Sequence, residues 1–342
     1  MGREGDTFGN GRISGLMTRL RFSDSDALRC RFTVSPLWET HAALRVVYGP
    51  HRRPLYDPWL ARRRDAADAA ELGLLRAVQP NSGYAPDFLS PPPTASNTSV
   101  RTELERVRRT PLDRVVAELT RCRDQMPANP AAEALDPLVS DPERAVAELV
   151  GVLERAWHVL VEPDWPAIRR ILDDDIAYRG ECLVRAGWTG LFADLHPGLG
   201  WEDGELVAER STDADRDLAG SGLLLVPSAF NWPHVSVIVD APYQPTVVYP
   251  ARGIARLWTA APPPPDRLAR LLGRSRAAIL AALDQPATTT GLAADLALGL
   301  GTVSEHLGAL HGAGLVSKRR AGHQIRYWRS PLGQGVIDAA ID

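Results

Sequence analysis

Residues 271–331 read LLGRSRAAILAALDQPATTTGLAADLALGLGTVSEHLGALHGAGLVSKRRAGHQIRYWRSP, and this stretch decides the fold of the C-terminal part of the chain. Three short segments carry apolar residues at helical spacing: residues 278–283, 292–296 and 303–310. A two-residue link separates the second segment from Gly299, a plausible N-cap for the third helix. Gly314 followed by Leu315 predicts the end of that helix. Helices joined by so short a link cross steeply, so the pattern predicts a helix-turn-helix.

A basic hairpin follows the third helix. Residues 315–320 and 324–329 flank a short loop in which Gly322 supplies the positive φ of a tight turn. The hairpin carries up to six basic groups: Lys318, Arg319, Arg320, His323, Arg326 and Arg329. A basic hairpin beside a helix that enters the major groove is a wing, and its cations bind backbone phosphates.

The segment TVSEHLGALHGAGLVSKRRAGHQIRYW, residues 302–328, resembles the winged-helix core of the ArsR-type (arsenic-repressor-like) transcriptional regulators. That family combines a TVSxHL recognition helix, an AGLV exit and a short basic wing that ends in an aromatic strand. The resemblance implies a transcription factor that binds double-stranded DNA as a homodimer on a two-fold operator. The DNA-binding residues that it implies lie at the start of the recognition helix and on the wing: Leu300, Gly301, Thr302, Ser304, Glu305, His306, Lys318, Arg319, Arg320, His323 and Arg326.

Within this set we expect different roles. Thr302 and Ser304 would meet base edges or phosphates, and the wing cations would bind phosphates and set the register. Glu305 stands where the family often carries a basic residue; a carboxylate can accept from cytosine N4 but repels phosphate. The alternative is a winged helix that contacts proteins and never DNA, and the basic wing argues against it.

The sequence predicts neither a metal nor a cofactor. The metal-sensing branch of the family carries a Cys-x-Cys pair on the helix before the recognition helix, and residues 288–296 contain no cysteine. Cys30, Cys122 and Cys182 are widely separated and form no zinc-binding spacing, so we expect buried thiols in a reducing cytoplasm. The apolar runs are too short to span a bilayer.

The chain has 342 residues, which is too long for one winged helix and predicts two or more domains. We predict four parts: a disordered N-terminus (1–17), an N-terminal α+β domain (18–259), a stiff proline linker (260–265) and the winged helix-turn-helix domain (266–342). The N-terminal domain is expected to be mostly helical with a small antiparallel sheet, so the overall fold class is α+β. Ser35-Pro36 and Asp141-Pro142 each predict the start of a helix.

Charge is distributed unevenly along the chain. The formal net charge is −3, whereas residues 264–342 carry nine Lys or Arg against six Asp or Glu, a net of +3. The remaining residues therefore carry −6. The charge that suits DNA is confined to one end, as in a modular regulator.

The N-terminal domain resembles the poorly characterised domain that precedes such winged helices in long ArsR-like regulators, with its SPLWE opening at residues 35–39. The resemblance implies no mechanism. We expect this domain to mediate dimerisation, to sense an effector that the sequence does not identify, or both. Its eight tryptophans would either line a ligand pocket or pack in the core, and packing is favoured. Residues 173–175 are three consecutive aspartates, which we expect on a solvated helix surface.

Two other functions stay open for the N-terminal domain: an enzyme to which the winged helix is a regulatory appendage, and a scaffold that binds another protein. We find no Gly-x-Ser-x-Gly, P-loop or Gly-x-Gly-x-x-Gly pattern, so we expect no enzyme. A pocket holding a cluster of perturbed His, Asp or Cys would favour catalysis. An exposed apolar patch without a pocket would favour the scaffold.

Overall fold

The computed structural model describes residues 16–50, 52–79, 84–125, 135–193, 195–210, 214–258, 264–283, 286–321 and 324–341. The fold is α+β, as predicted: helices predominate, small sheets accompany them, and a helix-turn-helix unit forms the C-terminal end. Most of the N-terminus predicted to be disordered lies outside the described residues, but Leu16 and Met17 already belong to the first strand. Most of the predicted proline linker also lies outside them.

Helices build most of the N-terminal region. They are α1 (Asp24–Ala27), α2 (Pro36–Tyr48), α3 (Asp57–Ala69), α4 (Gly73–Val78), α5 (Val100–Arg108), α6 (Leu112–Gln125), α7 (Asp136–Ser140), α8 (Pro142–Ala156), α9 (Trp165–Phe192) and α10 (Ala255–Trp258). Two predicted starts are confirmed, since the side chains of Ser35 and Asp141 accept from backbone N–H groups in the first turns of α2 and α8. The long helix α9 bends at Gly187, whose φ of 62° lies in the left-handed region.

The strands of the N-terminal region form two sheets. They are β1 (Leu16–Arg21), β2 (Arg31–Phe32), β3 (Leu199–Glu202), β4 (Glu205–Arg210), β5 (Ala214–Asp217), β6 (Leu224–Ser228), β7 (Ser236–Ile238) and β8 (Thr246–Pro250). The first sheet has the order β3-β4-β1-β5 and the second the order β2-β6-β8-β7.

The prediction of one small antiparallel sheet was wrong. Both sheets are mixed: β1 pairs with β5 in parallel, and β6 pairs in parallel with both β2 and β8. All five residues of β6 are buried, which is typical of a central strand covered on both faces. Such a continuous apolar run lacks the alternation of a one-sided antiparallel strand, so the parallel pairing is consistent with its sequence.

The SPLWE segment ties α2 to the rest of the N-terminal region. Ser35 caps the helix, and the backbone N–H of Leu37 donates to Glu103 Oε2 on α5 at 2.8 Å. Glu39 is fully buried, and its carboxyl oxygens accept from the backbone N–H of Ala229 at 3.1 Å. The segment thus joins α2 both to a neighbouring helix and to the end of β6.

The C-terminal region forms a winged helix with its own core. Its elements are α11 (Asp266–Leu272), α12 (Arg274–Ala282), β9 (Ala287–Thr288), α13 (Thr289–Asp295), α14 (Leu300–Gly312), β10 (Val316–Ala321), β11 (Gln324–Arg329) and α15 (Pro331–Ile341). Their buried apolar residues form a cluster that shares no member with the other hydrophobic clusters of the described residues. Strand β9 adds to the predicted hairpin and makes a three-stranded antiparallel sheet.

Candidate nucleic-acid interface

Helix α14 begins and ends where the sequence predicts. Gly299 is its N-cap, and α13 packs against it across a short turn in which Leu298 N–H donates to Ala293 O at 2.9 Å. At the other end, Gly314 has a φ of 73° and its N–H donates to His311 O, while Leu315 N–H donates to Leu310 O at 3.0 Å. These two bonds make a Schellman motif. The motif sets the direction in which the chain leaves the helix and enters the wing.

One face of α14 holds the helix in the domain and the other is open to solvent. Val303, Leu307 and Leu310 are buried in the winged-helix core. The predicted DNA-binding positions at the start of the helix are exposed: Leu300, Gly301, Thr302, Ser304 and Glu305. His306 is half-buried, and its Nδ1 has no hydrogen-bond partner among the described residues. The first two turns therefore present short hydroxyl side chains without steric cover, as contact with base edges requires.

The wing places its cations on two faces. Side chains of directly paired residues share a face of an antiparallel sheet. Lys318 pairs with Tyr327, which is buried in the core, so Lys318 and Arg320 lie on the side of the sheet that faces the helices. Arg319 pairs with Arg326, so these two lie on the opposite side. Lys318, Arg319 and Arg320 are exposed; His323, also predicted to bind DNA, lies outside the described residues.

Arg326 differs from the other wing cations because the N-terminal region holds it. Its Nη1 lies 3.0 Å from Asp174 Oδ1 on α9, and only 11% of the Arg326 side chain is exposed. The structure therefore places this predicted phosphate ligand in an ion pair instead of on the open surface. The sequence gives no sign of this pairing, because the two residues are far apart in the chain.

The ion pair belongs to a group of charges that we call the ionic junction: Arg170, Asp174, Arg256, Asp295 and Arg326. Arg170 Nη2 lies 3.9 Å from Asp295 Oδ1 on α13, which gives a second ionic contact between α9 and the winged helix. Burial raises the pKa of Asp174 to about 6, although the guanidinium of Arg326 lowers it. Burial also raises the pKa of Asp295 and lowers that of Arg256. The junction thus keeps partly desolvated charges of both signs between the two regions.

The three aspartates 173–175 have three different environments, and the prediction of a solvated surface holds only for the first. Asp173 is exposed and accepts from Arg169 Nε on its own helix at 2.9 Å. Asp174 belongs to the ionic junction. Asp175 is 2% exposed, accepting from the Tyr249 hydroxyl at 2.7 Å and from the Arg252 backbone N–H. Consecutive helical residues point in different directions, but the sequence does not show what packs on each side.

The described residues hold neither a metal-binding cluster nor a membrane-spanning helix. Within them, no group of three or more His, Cys, Asp or Glu side chains could hold a metal ion. No helix in the described part of the chain is both long enough and apolar enough to span a membrane.

Comparison with known families gives two matches, in different parts of the chain. Residues 271–319 match the model of a family described as a helix-turn-helix domain, which supports DNA as a partner of the C-terminal region. Residues 117–255 match the model of a family of unknown function (DUF5937). No curated protein and no solved structure is significantly similar to the chain. The predicted helix-turn-helix is therefore confirmed, and the N-terminal region includes a domain to which no activity is assigned.

Proposed function

We propose that this protein is a sequence-specific transcriptional regulator of the ArsR type that binds double-stranded DNA. The observation that carries the proposal is the solvent-exposed start of α14 beside a basic wing, within a confirmed helix-turn-helix domain. The recognition helix enters the major groove, where Thr302 and Ser304 read base edges. Lys318, Arg319 and Arg320 bind phosphates and set the register.

The regulator acts in the cytoplasm as a homodimer on a two-fold operator. Exposed leucines on two neighbouring helices of the winged helix support the dimer: Leu271 on α11 is 71% exposed and Leu332 on α15 is 59% exposed. Helix α15 also packs inward, since Ile337 is buried in the core. The N-terminal region senses an effector or contributes to the dimer, and the proposal assigns it no catalytic activity.

The test is selection of bound duplexes from random DNA by the purified protein, followed by titration of the selected operator and of a random duplex. Thr302→Ala and Ser304→Ala should each cost about 1–3 kcal/mol on the operator per lost base contact and change random binding little. Sedimentation with and without operator reports the dimer. No enriched sequence, or binding that does not depend on salt, would contradict the proposal.

A further inference from the structure

A cavity of about 330 Å³ lies in the N-terminal region, remote in sequence from the DNA-binding surface. Helix α2 contributes Trp38, His41 and Arg45 to its wall, and the remaining wall comes from residues 79 and 84–90 and from the edge strand β7 with its flanking residue. The volume is at the lower end of the range of small-molecule pockets, about 300–1,000 Å³. The cavity is therefore large enough for a small ligand.

Arg45 places a permanent positive charge in this cavity. Its nearest polar partner is Asn231, whose Oδ1 lies 3.5 Å from Arg45 Nη2. Among the described residues no acidic side chain forms a salt bridge with it. Burial, with a smaller contribution from the like charge of Arg53, lowers the pKa of Arg45 to about 10. The guanidinium thus remains charged at neutral pH, and Arg45 is half-buried, so a partly desolvated cation lies in the wall without an acidic partner.

The other titratable groups around Arg45 form no ion pair with it. Asp87 is in the wall and accepts from the Tyr84 hydroxyl at 2.9 Å, but it makes no salt bridge with Arg45. Glu39, on the same helix as Arg45, is fully buried among backbone donors, and burial raises its pKa to about 8. His41 is neutral, because burial lowers its pKa to about 4, and its ring nitrogens contact Leu89 O and the Gln79 amide.

The remaining polar side chains of the wall are uncharged, apart from Asp87. The indole Nε1 of Trp38 is buried and has no hydrogen-bond partner among the described residues. The amide and hydroxyl side chains in the wall belong to Gln79, Tyr84, Ser90 and Ser236. A guanidinium binds a carboxylate through two parallel hydrogen bonds. The single positive charge of one guanidinium balances the single negative charge of one carboxylate.

We propose that this cavity binds a small polar organic acid, whose carboxylate pairs with Arg45 and whose other polar groups meet the polar side chains of the wall. Phosphate esters fit less well, because their second negative charge would have no cation opposite it. The role of such an acid as the effector of the regulator rests on the proposed function, whereas the binding site itself does not.

Calorimetric titration and thermal unfolding of the full chain test the site in the absence of DNA. The probes are nicotinate, salicylate, lactate and N-acetylglycine, each compared with its neutral amide, with inorganic phosphate as a separate probe. Arg45→Met removes the charge and keeps an unbranched apolar side chain. The matched control is Arg64→Met, because Arg64 is exposed on α3 and outside the cavity wall.

We expect at least one acid to bind the unmodified protein on the order of 10–100-fold more tightly than its amide, as a charge-assisted hydrogen-bonded pair would. Arg45→Met should remove that preference and Arg64→Met should keep it. Without ligand, Arg45→Met should unfold at an equal or higher temperature than the unmodified protein. If Arg45 only stabilised the fold, its replacement would lower the unfolding temperature. The proposal would be overturned by equal binding of acid and amide, by binding that survives in Arg45→Met, by a response to phosphate alone, or by no response to any of the four acids.

A second measurement separates the site from its regulatory role. The acid that binds should change the affinity for operator DNA of the unmodified protein and of Arg64→Met, and should leave Arg45→Met unchanged. Acid binding without any DNA binding would contradict the proposed function and support the site. DNA binding without any acid binding would support the proposed function and overturn the site.

Discussion

At the scale of single residues, Gly314 connects the recognition helix to the wing. Its φ of 73° lies in the left-handed region, where a residue with a Cβ is strained, although an added Cβ would meet only Leu332 Cδ2, at 3.9 Å. Its two Schellman bonds orient Leu315, which is buried in the winged-helix core. Glycine is therefore needed at residue 314 because of its backbone conformation and not because of steric contacts.

Gly314→Ala should destabilise the protein by about 1–2 kcal/mol, because the left-handed conformation penalises the added Cβ. Gly308 is the matched control: it lies inside α14, and a Cβ there meets no atom within 4 Å. Gly308→Ala should stabilise by about 0.5–1 kcal/mol through helix propensity. The free energy of unfolding in urea measures both. Equal effects of the two substitutions would show that the backbone conformation at residue 314 is not what matters.

Glu39 gives a second test at this scale, through pH. Burial raises its pKa from 4.5 to about 8, so the folded protein prefers the protonated carboxyl. The stability associated with this proton is complete below pH 4.5 and is lost progressively as the pH rises to about 8. The stability of the unmodified protein relative to Glu39→Gln should therefore fall across this range, as measured by urea unfolding at several pH values. A constant difference between the two proteins would mean that Glu39 titrates normally.

At the scale of elements, the wing divides its cations between two faces of one hairpin. Lys318 and Arg320 lie on the side of the recognition helix, and Arg319 lies with Arg326 on the side of α9. The second side lies beside the N-terminal region, which holds Arg326 through Asp174. Phosphate binding should therefore depend more on Lys318 and Arg320 than on Arg319.

Replacing Lys318 and Arg320 together by Ala should weaken binding to operator and random DNA alike. The slope of log K against log salt should fall by about 0.9 for each phosphate contact that is lost. Arg319→Ala should have a smaller effect. The control is Arg62→Ala with Arg64→Ala, which removes two exposed charges from α3 in the N-terminal region. A similar loss of slope in the control would indicate that only the net charge of the protein matters.

Elements were predictable from the sequence where the signal is local. The recognition helix follows from its apolar spacing and from Gly314-Leu315, and α2 follows from Ser35-Pro36. Strand β9 has only two residues, Ala287 and Thr288, too few to show a period. The parallel pairing of β6 and the ion pair of Arg326 both depend on residues that are distant in the chain. No local sequence pattern predicts such contacts.

At the scale of the whole molecule, the ionic junction links the N-terminal region to the domain that carries the DNA-binding surface. Helix α9 supplies Arg170 and Asp174, and the winged helix supplies Asp295 and Arg326. The open face of α14 and the exposed wing cations lie outside this contact. The N-terminal region therefore leaves the start of α14 exposed while it holds Arg326 of the wing.

Asp174→Asn should raise DNA affinity, because it removes the carboxylate that competes with phosphate for Arg326. If one further phosphate contact forms, the salt slope should steepen by about 0.9. Asp173→Asn is the matched control: it makes the same charge change one residue away, at a side chain that pairs with Arg169 on its own helix. Titration of a random duplex at several salt concentrations measures the effect. Equal gains in both variants would assign the change to net charge and not to the release of Arg326.

The pH dependence of this gain gives the more specific test. Asp174 faces Arg326, Arg170, Arg256 and the like charges of Asp173 and Asp295, and burial raises its pKa to about 6. As the pH falls through this value, Asp174 becomes neutral in the unmodified protein and resembles Asn. The ratio of DNA affinities between Asp174→Asn and the unmodified protein should therefore approach one below pH 6 and reach its full value above it. Groups that change in the same way in both proteins cancel in the ratio. A ratio that does not change between pH 5 and pH 8 would show that Asp174 does not control Arg326 through its charge.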